Sequence, residues 1–323
     1  MSLFKELSEV VRYFNSSKIN KEITFYSENA IYFQYYKGTI DSILKRTNFT
    51  ILYISSDIDD PLLKISENRI KVFYINKLVA FVFPFITTKI LVLTMTDLGK
   101  YHIKRSVNDV NHVYMFHAIN SIHMQYNLDA FNHYDTIFCV GEHHVNEIRE
   151  SEKLYNLNRK KLVKVGYSWL EDIESNFNNF KSGNIKILIA PTWSTGNIFE
   201  TCIEVILEKL SPLQHEIILR PHPEFIKRHS FKFEQIYNKY KNYSNILFDN
   251  KSFSSDHIFE SNILITDWSG IAIEYAWGML KPVIYIDTPK KINNPNYKDL
   301  KIIPLEDKIR DLNGRILTIS QCE

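Results

Sequence analysis

Residues able to do chemistry lie in four polar clusters, each directly after a short apolar run. Arg220-Pro221-His222-Pro223-Glu224, after the run 216–219, is the most specific of them. Its two prolines fix the backbone on either side of His222, so the imidazole is aimed rather than mobile. Arg220 offers a planar fork of donors suited to phosphate. His222 can donate to a second phosphate oxygen and stabilise charge on a departing group. The plainer alternative is a capped turn with a satisfied surface histidine. Thr266-Asp267-Trp268-Ser269-Gly270 follows 263–265, and Pro191-Thr192-Trp193-Ser194-Thr195-Gly196 follows 187–190. Both supply hydroxyls and a glycine. Asp267 would repel a phosphate, so it is read as shaping its turn through side-chain-to-backbone bonds. Glu274 can accept from ribose hydroxyls, or else answer the helix dipole or a nearby cation. His117 follows the run 113–116, and an imidazole has the pKa to take a proton from an attacking hydroxyl at neutral pH. His123 is a second candidate for that role, while His143-His144 is too short a pattern for a metal and reads as surface.

These clusters need elements that hold them. Residues 261–287 read as a strand, a polar turn, a helix from about Gly270 capped by Ser269, and a second strand beginning after Pro282. A helix N-terminus at the carboxyl end of a buried parallel strand presents free N–H groups to an anion, and phosphate is the first ligand to suspect. Similar apolar runs fall at 23–26, 49–54, 71–74, 90–94, 112–116, 136–140 and 162–165, then again at 187–190, 216–219, 246–248, 263–265 and 283–286. Helical segments fill 31–46, 121–131, 142–153, 199–210, 231–240 and 271–279. This alternation predicts α/β architecture with mostly parallel sheets covered on both faces. The polar stretch 168–184 reads as a linker. Leu3, Leu7, Val10, Val11 and Phe14 fall at helical spacing, predicting an opening amphipathic helix packed on its own domain, with docking on a membrane surface or partner as the alternative.

Composition narrows the class. Hydrophobic residues make up 45% of the chain and aromatics 14%, ample for two domains. The net charge of +2 gives no global field pointing to nucleic acid. Cys139, Cys202 and Cys322 match no zinc or redox spacing and suit a reducing cytoplasm. The opening residues carry charges throughout and show no signal peptide. Residues 78–95, the most apolar segment, are interrupted by Pro84 and Thr87-Thr88-Lys89, and read as helix then strand rather than a membrane span.

Ile189-Ala190-Pro191-Thr192-Trp193, Arg220-Pro221-His222-Pro223 and the run from Ile263 to Ala272, with Glu274 and Lys281-Pro282-Val283, resemble the CDP-glycerol glycerophosphotransferase family of teichoic-acid and capsule polymerases. The resemblance is strong over 186–287 and thinner earlier, where His117 aligns with the family's His-Gly motif. It implies a GT-B-like fold, two Rossmann-like domains facing a cleft, with an acceptor domain over 1–175 and a nucleotide-donor domain over 185–323. It further implies transfer of a glycerol-phosphate, polyol-phosphate or sugar group from a CDP- or CMP-linked donor to a hydroxyl of a bacterial surface glycan. In that reading His117 is the base and His222 assists departure. The donor is bound by Thr192, Trp193, Arg220, His222, Pro223, Thr266, Asp267, Trp268, Ser269, Gly270 and Glu274. No metal and no cofactor is implied; the partners are the nucleotide-linked donor and a glycan or lipid-linked glycan, in the cytoplasm or on the inner face of the plasma membrane. Two motifs depart from the family: His117-Ala118-Ile119 stands where it has His-Gly-Thr, and Asp267-Trp268-Ser269-Gly270 where it has Asp-Tyr-Ser-Ser. The alternatives are a GT-B sugar transferase or epimerase using another nucleotide, and a non-catalytic partner of an assembly complex.

Overall fold

The computed structural model describes residues 3–65, 67–96, 98–177, 184–213, 215–250 and 256–322. Among the described residues thirteen strands form two separate sheets. The first holds β1 (Ile23–Ser27), β2 (Ile51–Ser55), β3 (Ile70–Tyr74), β4 (Ile90–Leu93), β5 (Asn111–Met115), β6 (Thr136–Cys139) and β7 (Lys161–Lys164), in the order β3-β2-β1-β4-β5-β6-β7. The second holds β8 (Lys186–Ile189), β9 (Glu216–Leu219), β10 (Ile246–Phe248), β11 (Ile263–Thr266), β12 (Val283–Asp287) and β13 (Gly314–Thr318), in the order β10-β9-β8-β11-β12-β13. Every pairing between these strands is parallel. Each sheet is therefore doubly wound, its order reversing between β1 and β4 in one and between β8 and β11 in the other.

The apolar runs become strands because both faces of each central strand are covered, so continuous hydrophobicity is tolerated where alternation would be needed at a wet face. All of β1 and β2 is buried. In the second unit Ile187, Ile189, Ile217, Leu219 and Ile265 join Phe199, Ile203, Leu207, Phe233 and Ile236 from covering helices in one core. The strand Gly314–Thr318, which the run pattern did not reveal, docks so closely on β12 that a Cβ at Gly314 would lie 2.4 Å from the Val283 carbonyl oxygen.

The chain divides into two compact units, one of Met1–Ala118 with Tyr126–Trp169, and a second of Ile119–Gln125 with Leu170–Glu323. Several local expectations change. Ser168–Phe177, read as linker, is a helix, and 178–183 lie outside the described residues. The helix expected over 121–131 is a single turn, Ile122–Gln125. The helix expected over 199–210 breaks at Cys202 into Ile198–Thr201 and Ile203–Leu210.

The opening helix, Leu3–Ser17, is mounted with its polar side inward. Glu6, 1% exposed, accepts from the backbone N–H groups of Asn76 (2.8 Å) and Leu78 (2.7 Å). The Tyr13 and Ser17 hydroxyls meet those of Thr24 and Thr87. These bonds fix the helix's rotation and leave Leu3, Phe4, Leu7 and Val11 facing solvent, Phe4 at 87% exposure. The expected packing of Leu3, Leu7 and Val11 against their own domain does not occur. No helix among the described residues is long and apolar enough to cross a membrane.

Candidate active site

In a doubly wound sheet, the loops leaving the strands on either side of the order reversal diverge and open a crevice at their carboxyl ends. In the second sheet those strands are β8 and β11, with β9 beside β8. Three of the four polar clusters leave these three strands, so topology brings them to one edge.

Asp267 locks that edge. It is 1% exposed, and its Oδ1 accepts from the backbone N–H groups of Thr192 and Trp268, both at 2.7 Å. Its Oδ2 accepts from Ile198 N–H at 3.2 Å. Burial raises its pKa, and those amide bonds pull the other way. One carboxylate thus ties the loop after β8 to the loop after β11. Thr266 adds a second tie, its buried hydroxyl donating to the Ala190 carbonyl at 2.7 Å. Both side chains are spent on shaping the edge.

The helix Ile271–Met279 starts at Gly270, which has no side-chain cap bond, so the expected capping by Ser269 is absent. The Ser269 and Gly270 carbonyls accept from Ala272 and Ile273. A Cβ on Gly270 would come 3.0 Å from Asn120 Oδ1, so glycine lets the Asn120 amide lie against the helix start. Glu274 sits in the first turn, partly buried. Trp268 is held by its Nε1–H, which donates to the Thr288 carbonyl at 2.9 Å, and the Arg310 guanidinium lies 3.8 Å from its ring centre.

His222 caps the short helix Pro223–Arg228, its Nδ1 accepting from Glu224 N–H at 3.1 Å. An accepting Nδ1 puts the proton on Nε2. Burial, then the nearby Lys291 charge, hold its pKa down at about 4 against the opposing pull of Glu224. The ring is a neutral N–H donor at physiological pH. Pro223 is the first residue of that helix, where its missing N–H costs nothing. Arg220 is bound to Asp249, a buried carboxylate just past β10, at 2.6 Å. Trp193 stands 6.2 Å from the His222 ring, with Arg228 4.9 Å and Lys291 5.3 Å from its own ring centre.

Asp249, Asn120 and Lys291 were not singled out from sequence. Asn120 belongs to Ile119–Gln125, the segment just past His117 that is part of the second unit. That segment is stitched to the chain around 291–306: Ser121 N–H donates to Glu306 (3.1 Å), Gln125 Nε2 to the Lys291 carbonyl (3.2 Å), and Asn293 and Asn294 N–H both to the Met124 carbonyl (3.1 Å). His123 is part of the stitching, its Nε2 3.1 Å from the Ile302 carbonyl oxygen.

His117 lies in the first unit, two residues past β5, with the Tyr32 and Tyr35 rings 5.1 and 6.0 Å away. Tyr167 donates its hydroxyl to the His117 carbonyl at 3.2 Å. His144, expected on the surface, is wholly buried, its ring 4.1 Å from Phe116. Among the described residues no three His, Cys, Asp or Glu side chains gather as a metal site.

The family model described as CDP-glycerol:poly(glycerophosphate) glycerophosphotransferase matches residues 21–291. No curated protein sequence matches the chain at a significant level. Among solved structures, a variant of the wall teichoic acid polymerase TagF is similar at 12% identity and a TM-score of 0.56, covering 98% of this chain and 86% of that one. UDP-GlcNAc 2-epimerase from Methanocaldococcus jannaschii, in complex with UDP-GlcNAc and UDP, is similar at 12% identity and a TM-score of 0.61, covering 92% and 89%. The epimerase from Neisseria meningitidis gives 12% and 0.55 over 81% and 82%. At such identities the likeness is one of fold, the GT-B class of two parallel-sheet units.

Proposed function

Since the chain belongs to the CDP-glycerol:poly(glycerophosphate) glycerophosphotransferase family, and is a transferase, we propose that its donor is a cytidine nucleotide, CDP- or CMP-linked, and its acceptor a hydroxyl of a bacterial surface glycan. The observation that carries this reading is the second sheet's ligand edge. A neutral His222 Nε2–H is fixed by the cap of Pro223–Arg228 after β9, and the Ser269 hydroxyl and an uncapped helix start at Gly270 lie on the loop after β11, which Asp267 ties to the loop after β8. Rigid donors aimed at developing negative charge are what phosphoryl or glycosyl transfer from a nucleotide requires. His117 is assigned the acceptor's proton. As the acceptor oxygen bonds to the transferred group, the donor's bond to the nucleotide phosphate breaks, and the electron pair leaves with that phosphate, His222 donating to its oxygen. Glu274 is assigned to the ribose hydroxyls. We further propose that the outward apolar face of Leu3–Ser17 rests on the membrane, since exposed Phe81 and Phe85 add to its exposed apolar side chains on the first unit.

Thermal unfolding with CMP, CDP, UDP, UMP and GDP tests the donor. A ligand at a hundred times its Kd stabilises by about 2.7 kcal/mol. Stabilisation by cytidine nucleotides, lost in His222→Ala, is the expected result. No shift with any of them would turn the reading toward a non-catalytic partner, and a shift with UDP alone toward a sugar transferase or epimerase. His117→Ala should lower transfer about 10²–10⁴-fold.

A further inference from the structure

Phosphates need positive charge, and at this edge most cations are already answered. Arg220 is paired with Asp249 at 2.6 Å, Arg228 with Glu224 at 2.8 Å, Lys290 with Asp307 at 2.7 Å and Arg310 with Asp287 at 3.0 Å. His222 is neutral. Lys291 is different: among the described residues its Nζ makes no ion pair, and it lies 5.3 Å from the centre of the Trp193 ring. Lys291 is partly buried, and a partly desolvated ammonium with no carboxylate in ion-pairing distance is of the kind that concentrates where a ligand supplies the missing charge.

The position of Lys291 is also built. Its carbonyl accepts from Gln125 Nε2 at 3.2 Å. The next residues are braced by Asn293 Nδ2 on the Gln125 carbonyl and Asn294 Nδ2 on the His123 carbonyl, both 2.9 Å. The side chain therefore springs from a fixed backbone. Burial lowers its pKa, opposed by Glu306 and Asp267, which places the ammonium within electrostatic reach of the Asp267-held loops as well as of His222.

We infer that Lys291, rather than Arg220, is the cation that receives the donor's diphosphate at this edge, with Trp193 and the 119–125 segment positioning it. Arg220 instead joins the ends of β9 and β10 through Asp249. The inference rests on the nucleotide-donor reading, and the test separates the two. Binding of CDP, UDP, inorganic pyrophosphate and cytidine would be measured by calorimetry on the full chain, for wild type, Lys291→Met, Lys291→Gln and Lys291→Arg, with circular dichroism to check folding. A charge-assisted hydrogen bond is worth about 1.5–3 kcal/mol, or roughly a 10- to 150-fold change in Kd. The expected result is a loss of that size for CDP and pyrophosphate in the Met and Gln variants, partial recovery in the Arg variant, and cytidine affinity unchanged. If folded Met and Gln variants bind both diphosphates as wild type does, the inference is overturned while the donor reading stands. If wild type itself binds neither CDP nor pyrophosphate, both fall. If UDP and CDP bind equally and both depend on Lys291, the inference stands and the cytidine donor falls.

Discussion

Two residues apart in sequence, Arg220 and His222 differ in what each can give an anionic ligand. The guanidinium is spent on Asp249, whereas the imidazole keeps a free Nε2–H because its Nδ1 is committed to the cap of Pro223–Arg228. This has a pH signature. A histidine with pKa about 4 in the folded chain and near 6.5 when unfolded binds fewer protons folded than unfolded between those values. Stability therefore rises with pH across that window, is complete above about pH 6.5 and is lost as pH falls toward 4. His112, also held at about 4 by burial, adds a second proton to the same slope. His222→Asn keeps a good capping acceptor, so chemical denaturation from pH 4 to 7 should show this variant with a shallower dependence by close to one proton. An unchanged slope would show that the folded His222 titrates normally.

At the scale of elements, two carboxylates do what local propensity does not. Asp267 welds the loops after β8 and β11 by accepting three backbone N–H groups. Asp267→Asn substitutes an amide nitrogen for one acceptor and sets N–H against N–H in a dry place. We expect a loss of about 1–3 kcal/mol in urea unfolding, together with weakened nucleotide binding, because the loops that aim Trp193 and Ser269 lose their tie. Wild-type stability in this variant would mean that the loops hold themselves. Glu6 plays the corresponding part in the first unit by fixing the rotation of Leu3–Ser17.

For the molecule as a whole, that rotation decides which surface meets its surroundings. Burying a Leu or Phe side chain is worth about 1.5–3 kcal/mol, yet Leu3, Phe4 and Leu7 stay out, as do Phe81 (72% exposed) and Phe85 (59%). Sedimentation with phosphatidylglycerol vesicles should carry the wild-type chain down, and Phe4→Glu with Leu7→Glu should leave it in solution with its melting temperature unchanged. Recovery of both proteins in the supernatant would reject membrane contact. The second unit, meanwhile, takes in seven residues from within the first unit's span, Ile119–Gln125, which brace the backbone of Lys291.

The twelve apolar runs read from sequence all became strands, and the polar clusters behind them fell at the carboxyl edge. Strand hydrophobicity is a local property, and in a parallel sheet whatever follows a run must emerge at that edge. The family's motifs lay within that same legible layer. Charge was not legible. Whether Arg220 is available depends on Asp249, 29 residues on, and whether Lys291 is available depends on no carboxylate among the described residues coming close enough to pair with it. Nor did periodicity say which way the opening helix would turn, because two amides 70 and 72 residues away from Glu6 outweighed its apolar stripe. The sequence by itself determined twelve of the strands and brought the polar clusters behind them to the carboxyl edge. Only the tertiary structure decided which of the charged groups at that edge are neutralised, because ion pairing is set by distances in space between residues whose separation along the chain carries no record of them.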